Sequence, residues 1–180
     1  AWQKFVGEGD SSFAQGRFQE AMQSYSNAAQ VDSMNATAFF KLGTSLYSLS
    51  RYDKAKRALV RAKDLDALRF RATGEFENDL VSVCSQHNVP LTRVDSAFIA
   101  ASPHGILDDN LFLEHFHPNV SGYFLMAKTF CRAIEQNKLL APSSEWSHAS
   151  EPDDSVMMEL SRVTEFDRTV GKVKIDLLKR

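Results

Sequence analysis

Apolar residues recur at three- and four-residue spacings over most of this chain, the mark of helices that bury one face. From Leu68 to Gln86 the apolar stripe is Phe76, Leu80, Val83 and Cys84. From about Ser121 to Asn137 it is Tyr123, Met126, Ala127, Phe130 and Ile134, all expected to face a core. Val156 with Leu160, then Val170, Val173 and Leu177, predict two short amphipathic helices near the end. They follow a Ser-, Pro- and acid-rich loop over residues 141–154, in which Trp146 is the residue expected to dock. The helical period breaks at His87-Asn88-Val89-Pro90, after which Val89 to Val94 reads as a short strand. A lone strand cannot satisfy its own backbone, so a sheet to receive it is expected outside these residues.

A longer period runs through the first part of the chain. Positions 34 apart match between residues 2–35 and 36–69: Gly9 with Gly43, Ser11 with Ser45, Phe13 with Tyr47, Arg17 with Arg51, Phe18 with Tyr52, Ala21 with Ala55, Ala28 with Ala62 and Asp32 with Asp66. The small residues fall where two helices can cross closely, and Phe5, Tyr25, Phe39 and Leu59 supply bulk between them. Gly16-Arg17-Phe18 and Ser50-Arg51-Tyr52 mark the tight turns. This pattern resembles the tetratricopeptide repeat (TPR), a helical hairpin that stacks into an α-solenoid. The proline usual after the second helix is replaced by Ser33 and Ala67, so the second hairpin is expected to run straight into the next helix. Two hairpins leave an open end, which Leu68–Gln86 is expected to cap. The resemblance implies that the first helix of each hairpin lines a concave groove for a protein or peptide, with Val6, Asp10, Phe13, Phe40, Thr44 and Tyr47 facing it. The Lys/Asn set that clamps a peptide carboxylate in chaperone-binding TPRs is missing, apart from Lys41. The alternative is that these aromatics pack hairpin on hairpin.

Candidate chemistry lies further on, in Leu111-Phe112-Leu113-Glu114-His115-Phe116-His117-Pro118-Asn119-Val120-Ser121-Gly122-Tyr123. A carboxylate, two spacers, His-Pro-Asn, then Gly-Tyr and a helix resembles the last signature block of SGNH/GDSL hydrolases. The resemblance implies that His117 is a general base and Glu114 the carboxylate that orients it. That family usually has aspartate where Glu114 stands, and its oxyanion-hole blocks and nucleophile have no counterpart here. Residues 68–137 thus resemble the last third of such a domain, and the implied partner is a missing N-terminal hydrolase portion. Gly9-Asp10-Ser11-Ser12 imitates the nucleophile block, yet only Phe5-Val6 precede it and the repeat register already accounts for Gly9 and Ser11. Two plainer readings compete at the histidine. His117 can be a loop residue bonded to backbone, and His115-x-His117 with Glu114 invites zinc but has no fourth ligand. Neither a metal nor any other cofactor is expected.

Composition changes this picture little. A chain of 180 residues with 43% hydrophobic content can bury a core, and a formal charge of −2 gives no overall pull on nucleic acid. Eight Lys/Arg between Arg51 and Arg71 are expected to form a solvated helix face, as are Lys172, Lys174, Lys179 and Arg180. Cys84 and Cys131 sit in apolar runs and are expected as buried free thiols. No apolar run reaches the roughly 18 to 20 residues a membrane span needs. The chain begins at Ala1, so an upstream piece is expected and the compartment stays open. The expected fold class is mainly α. TPR hairpins occupy residues 2–67, a capping helix with a partial α/β, SGNH-like and flavodoxin-like segment residues 68–140, and a loop with short C-terminal helices residues 141–180. The expected function is a TPR interaction module within a bacterial SGNH/GDSL-like hydrolase acting on ester or acyl groups, or else a non-enzymatic TPR scaffold.

Overall fold

A computed structural model describes residues 1–68, 71–114, 117–145 and 153–178. Among these the chain forms nine α-helices and no strand: α1 Trp2–Ala14, α2 Phe18–Val31, α3 Ala36–Ser48, α4 Tyr52–Asp64, α5 Gly74–Gln86, α6 Val94–Ala101, α7 Val120–Gln136, α8 Asp154–Leu160 and α9 Glu165–Leu178. They divide into two compact units, Ala1–Gln86 and His87–Arg180.

In the first unit α1 packs on α2, α2 on α3 and α3 on α4, the order of two stacked hairpins. Small side chains let the backbones approach. Ala21, Ala28, Ala38 and Ala55 are buried completely, and Ala28, Ala29 and Ala38 form a cluster covered by Trp2, Phe5, Val6 and Phe39. Gly9 lies so close to the Tyr25 ring that a Cβ there would overlap it, and a Cβ on Gly43 would come within 2.7 Å of Leu59. The paired glycines therefore leave space for the bulky residue of the facing helix, in the same register in both hairpins. Each hairpin turns on a left-handed residue, Gly16 (φ 73°) in the first and Ser50 (φ 57°) in the second.

Aspartate does the work expected of the absent proline. Asp32 accepts the Met34 N–H at 3.1 Å and Asp66 accepts the Leu68 N–H at 3.0 Å, so the same side-chain turn closes both hairpins. Asn35 then caps α3 by accepting the Ala38 N–H. The second hairpin does not run straight on, because α4 ends at Asp64 and α5 starts only at Gly74. The anticipated cap is also incomplete. The first turn of α5 is tied to α4 through Gly74 N–H to Asp64 (2.9 Å) and Lys63 to Glu77 (3.3 Å), but no residue of α5 is buried. Phe76, Leu80 and Val83 stay exposed, since polar ties at one end hold the helix without seating its apolar stripe.

The second unit departs most from the sequence-based expectation. The strand anticipated at Val89–Val94 is absent: residues 89–93 are irregular, and Val94 opens α6. Pro90 supplies no backbone donor, whereas Val94, Ala97, Phe98 and Ala101 share a helical face that brings Phe98 into the core. With the strand goes the need for a sheet to receive it, and the partial α/β segment is not supported. Helix α7 packs on α6 through little buried surface. Gly122 is its one buried residue; Tyr123, Ala127 and Phe130, anticipated in a core, are exposed. Cys131 is exposed and Cys84 half-buried. Val156 and Leu160 of α8, and Val173 and Leu177 of α9, are exposed as well. The positions anticipated for Trp146, Lys179 and Arg180 lie outside the described residues.

Candidate functional site

The hairpins bring the six anticipated groove residues onto α1 and α3, but not to one purpose. Val6 packs against the alanine cluster between the helices. Phe13 is half-buried, edge-on to Phe18 with centroids 5.1 Å apart. Thr44 turns its hydroxyl onto the Lys41 carbonyl (2.9 Å). Phe40 and Tyr47 remain open to solvent, 56% and 39% exposed, with Tyr47 edge-on to Tyr52.

Asp10 is the centre of a polar bridge that sequence reasoning missed. It accepts hydrogen bonds from the Tyr25 hydroxyl and from the Lys41 ammonium, each at 2.6 Å, and so links α1, α2 and α3. Lys41 also stands 5.8 Å from the centre of the Tyr25 ring. Burial pushes the Asp10 carboxyl up, but the bonds from Lys41 and Tyr25 and the Lys41 charge together outweigh it and leave the group below its ordinary value. Burial, then the bond to Asp10, drives the Tyr25 hydroxyl well above the usual tyrosine range. Lys41, the expected remnant of the carboxylate clamp, is thus already paired with Asp10. The 31-residue separation of Asp10 and Lys41 hid their pairing, although Asp10 adjoins Gly9 and Lys41 lies two residues before Gly43.

Ser11, in the stretch that imitates a hydrolase nucleophile block, lies in the last turn of α1 and accepts a bond from Gln15. No strand precedes it, and Ser12 beside it is buried.

In the second unit an isolated bridge pairs Phe112 with Pro118, with Leu113 N–H to the His117 carbonyl at 2.8 Å and Asn119 N–H to the Leu111 carbonyl at 2.9 Å. This pairing brings Glu114 and His117 together. One carboxylate oxygen of Glu114 accepts the His117 backbone N–H at 3.0 Å and also meets His117 Nδ1. The Glu114 side chain is 6% exposed and the His117 ring 52%. The rest of the block has structural work. Asn119 caps α7 by accepting the Gly122 N–H at 3.0 Å while its amide donates to the Asp109 and Asn110 carbonyls. A Cβ on Gly122 would strike the Leu111 carbonyl. His115 lies outside the described residues, and among those described no three metal-binding side chains converge. No described helix is long and apolar enough to cross a membrane.

A TPR repeat family model matches residues 9–50, from within α1 to the turn that follows α3. No curated protein and no solved structure matches the chain. The hydrolase resemblance of residues 68–137 receives no support from these comparisons.

Proposed function

We propose that the two hairpins are a protein-interaction module whose groove on α1 and α3 takes an apolar or helical segment of a partner rather than a free C-terminus. The observation that carries this is the pairing of Lys41 with Asp10 beside an exposed Phe40 and Tyr47. A carboxylate clamp needs an uncommitted cation, and the cation here is spent within the fold. Exposed aromatics on a rigid helix anchor a partner with little loss of conformational freedom. A random-peptide selection with both internal and C-terminal display tests it. Selected sequences should be apolar, survive amidation of their C-terminus and lose binding to Phe40→Ser and Tyr47→Ser. Sequences that bind only through a free terminal carboxylate would overturn this proposal.

The contact between Glu114 and His117 favours a second reading, in which the second unit carries the base and orienter of an acyl-transfer site in a hydrolase-like parent. A carboxylate on Nδ1 sets the tautomer that leaves the other ring nitrogen basic. Serine chemistry also needs a nucleophile and oxyanion donors within hydrogen-bond reach. The 180-residue chain should therefore not cleave a short acyl ester. If a longer form does, His117→Ala should abolish turnover and Glu114→Ala should leave a residue of it. A longer form inactive across acyl esters would leave the interaction module alone.

A further inference from the structure

The repeat register holds the two hairpins to one pattern of small and bulky residues, but their second helices differ sharply in charge. Helix α2, FQEAMQSYSNAAQV, contains no lysine or arginine. Helix α4, YDKAKRALVRAKD, contains five, against two aspartates. The fold builds the same hairpin without cations, so packing does not call for those on α4.

The placement of these charges is costly for an isolated helix. Arg57 and Arg61 are four residues apart, a like-charged spacing that destabilises a helix. Internal acids relieve part of it, since Asp64 is attracted to Arg61 as well as to Lys63. Asp64 is committed to Lys63 and to the Gly74 N–H, and Lys54, Lys56 and Arg57 take part in no ion pair among the described residues. Arg61 is held with its guanidinium 5.9 Å from the Phe39 ring centre, which keeps its charge at the surface. Lys56, Arg57, Val60, Arg61 and Asp64 line a shallow open depression of about 330 Å³, with Val60, its one apolar residue, 44% exposed.

We infer that this face of α4 is a second docking surface, distinct from the groove, and that it takes an acidic peptide segment carrying one apolar side chain. The carboxylates would meet Lys56, Arg57 and Arg61, and the apolar side chain would rest on Val60 between their aliphatic stems. Charge complementarity selects the acidic partner, and the apolar Val60 selects a peptide over a bare polyanion.

The test uses the full chain and three probes: a short glutamate-rich peptide with a central leucine, the same peptide with serine in place of leucine, and a single-stranded oligonucleotide of matched charge. Amide shifts followed by NMR should localise to α4 with the leucine peptide, at lower affinity with the serine peptide and weakest with the oligonucleotide. Lys56→Glu with Arg57→Glu should weaken the leucine peptide by about tenfold or more. Val60→Ser, which changes no charge at an exposed position, should bring it down to the level of the serine peptide. Shifts centred on Phe40 and Tyr47 instead of α4 would overturn the inference. So would an oligonucleotide that binds as tightly as the leucine peptide, or a leucine peptide indifferent to Val60→Ser.

Discussion

At the scale of single residues the first unit depends on positions with no room to spare. Gly9→Ala drives a methyl into the Tyr25 ring, and Ala55→Leu overfills a site with no exposed surface; each should cost about 1 to 3 kcal/mol in thermal or denaturant unfolding. An Ala55→Leu protein that melted like the parent would remove the close helix crossing. The Asp10 bridge gives a pH dependence of known sign. Because its folded-state pKa is lowered, the bridge contributes fully above the unfolded value of about 3.9 and is lost as pH falls through the lower folded value. Asp10→Asn should therefore lower stability modestly near neutral pH, the side chain being about half exposed, and converge with the parent in acid. Unfolding curves that stayed parallel into acid would refute this. These positions differ in how legible they were. Gly9, Gly43, Ala21 and Ala55 announced themselves through the 34-residue register, whereas the Asp10–Tyr25–Lys41 bridge joins three helices and has no local signature.

Among the elements, helices that bury a stripe and helices that merely contain one behave differently. Helix α5 has the pattern of a cap but buries no residue, and its ties to α4 among the described residues lie at its first turn, so its later amides should exchange with solvent much faster than those of α2 and α3. Protection in α5 equal to that of α3 would show that its apolar stripe is seated after all. Helix α7 depends instead on its start, where Asn119→Ala removes the cap and should cost about 1 kcal/mol. Periodicity reports that one side of a helix is apolar, not that a neighbour exists to cover it; Phe76, Tyr123 and Phe130 stay exposed among the described residues. The strand expected at residues 89–94 does not form, for a related reason. A short apolar run beside a proline is ambiguous between strand and helix start, and Phe98, four residues past Val94, decides for the helix.

For the molecule as a whole, the two units should not unfold together. The first interlocks four helices around buried alanines, while among the described residues of the second the large apolar side chains that are buried are Phe98 and Leu111. Thermal unfolding read at Tyr25 and at Phe98 by NMR should give separate transitions, with the His87–Arg180 unit melting first. Coincident transitions would mean that the units share cooperativity. The Asp32 and Asp66 turns bear on how such a chain grows. Each hairpin carries its own spacer glycine and its own closing aspartate, so every period is complete in itself and needs nothing from its successor to end. A tandem copy of the second period, spliced in frame after residue 69, would bring its own stop with it, and the array would lengthen by duplication rather than by redesign.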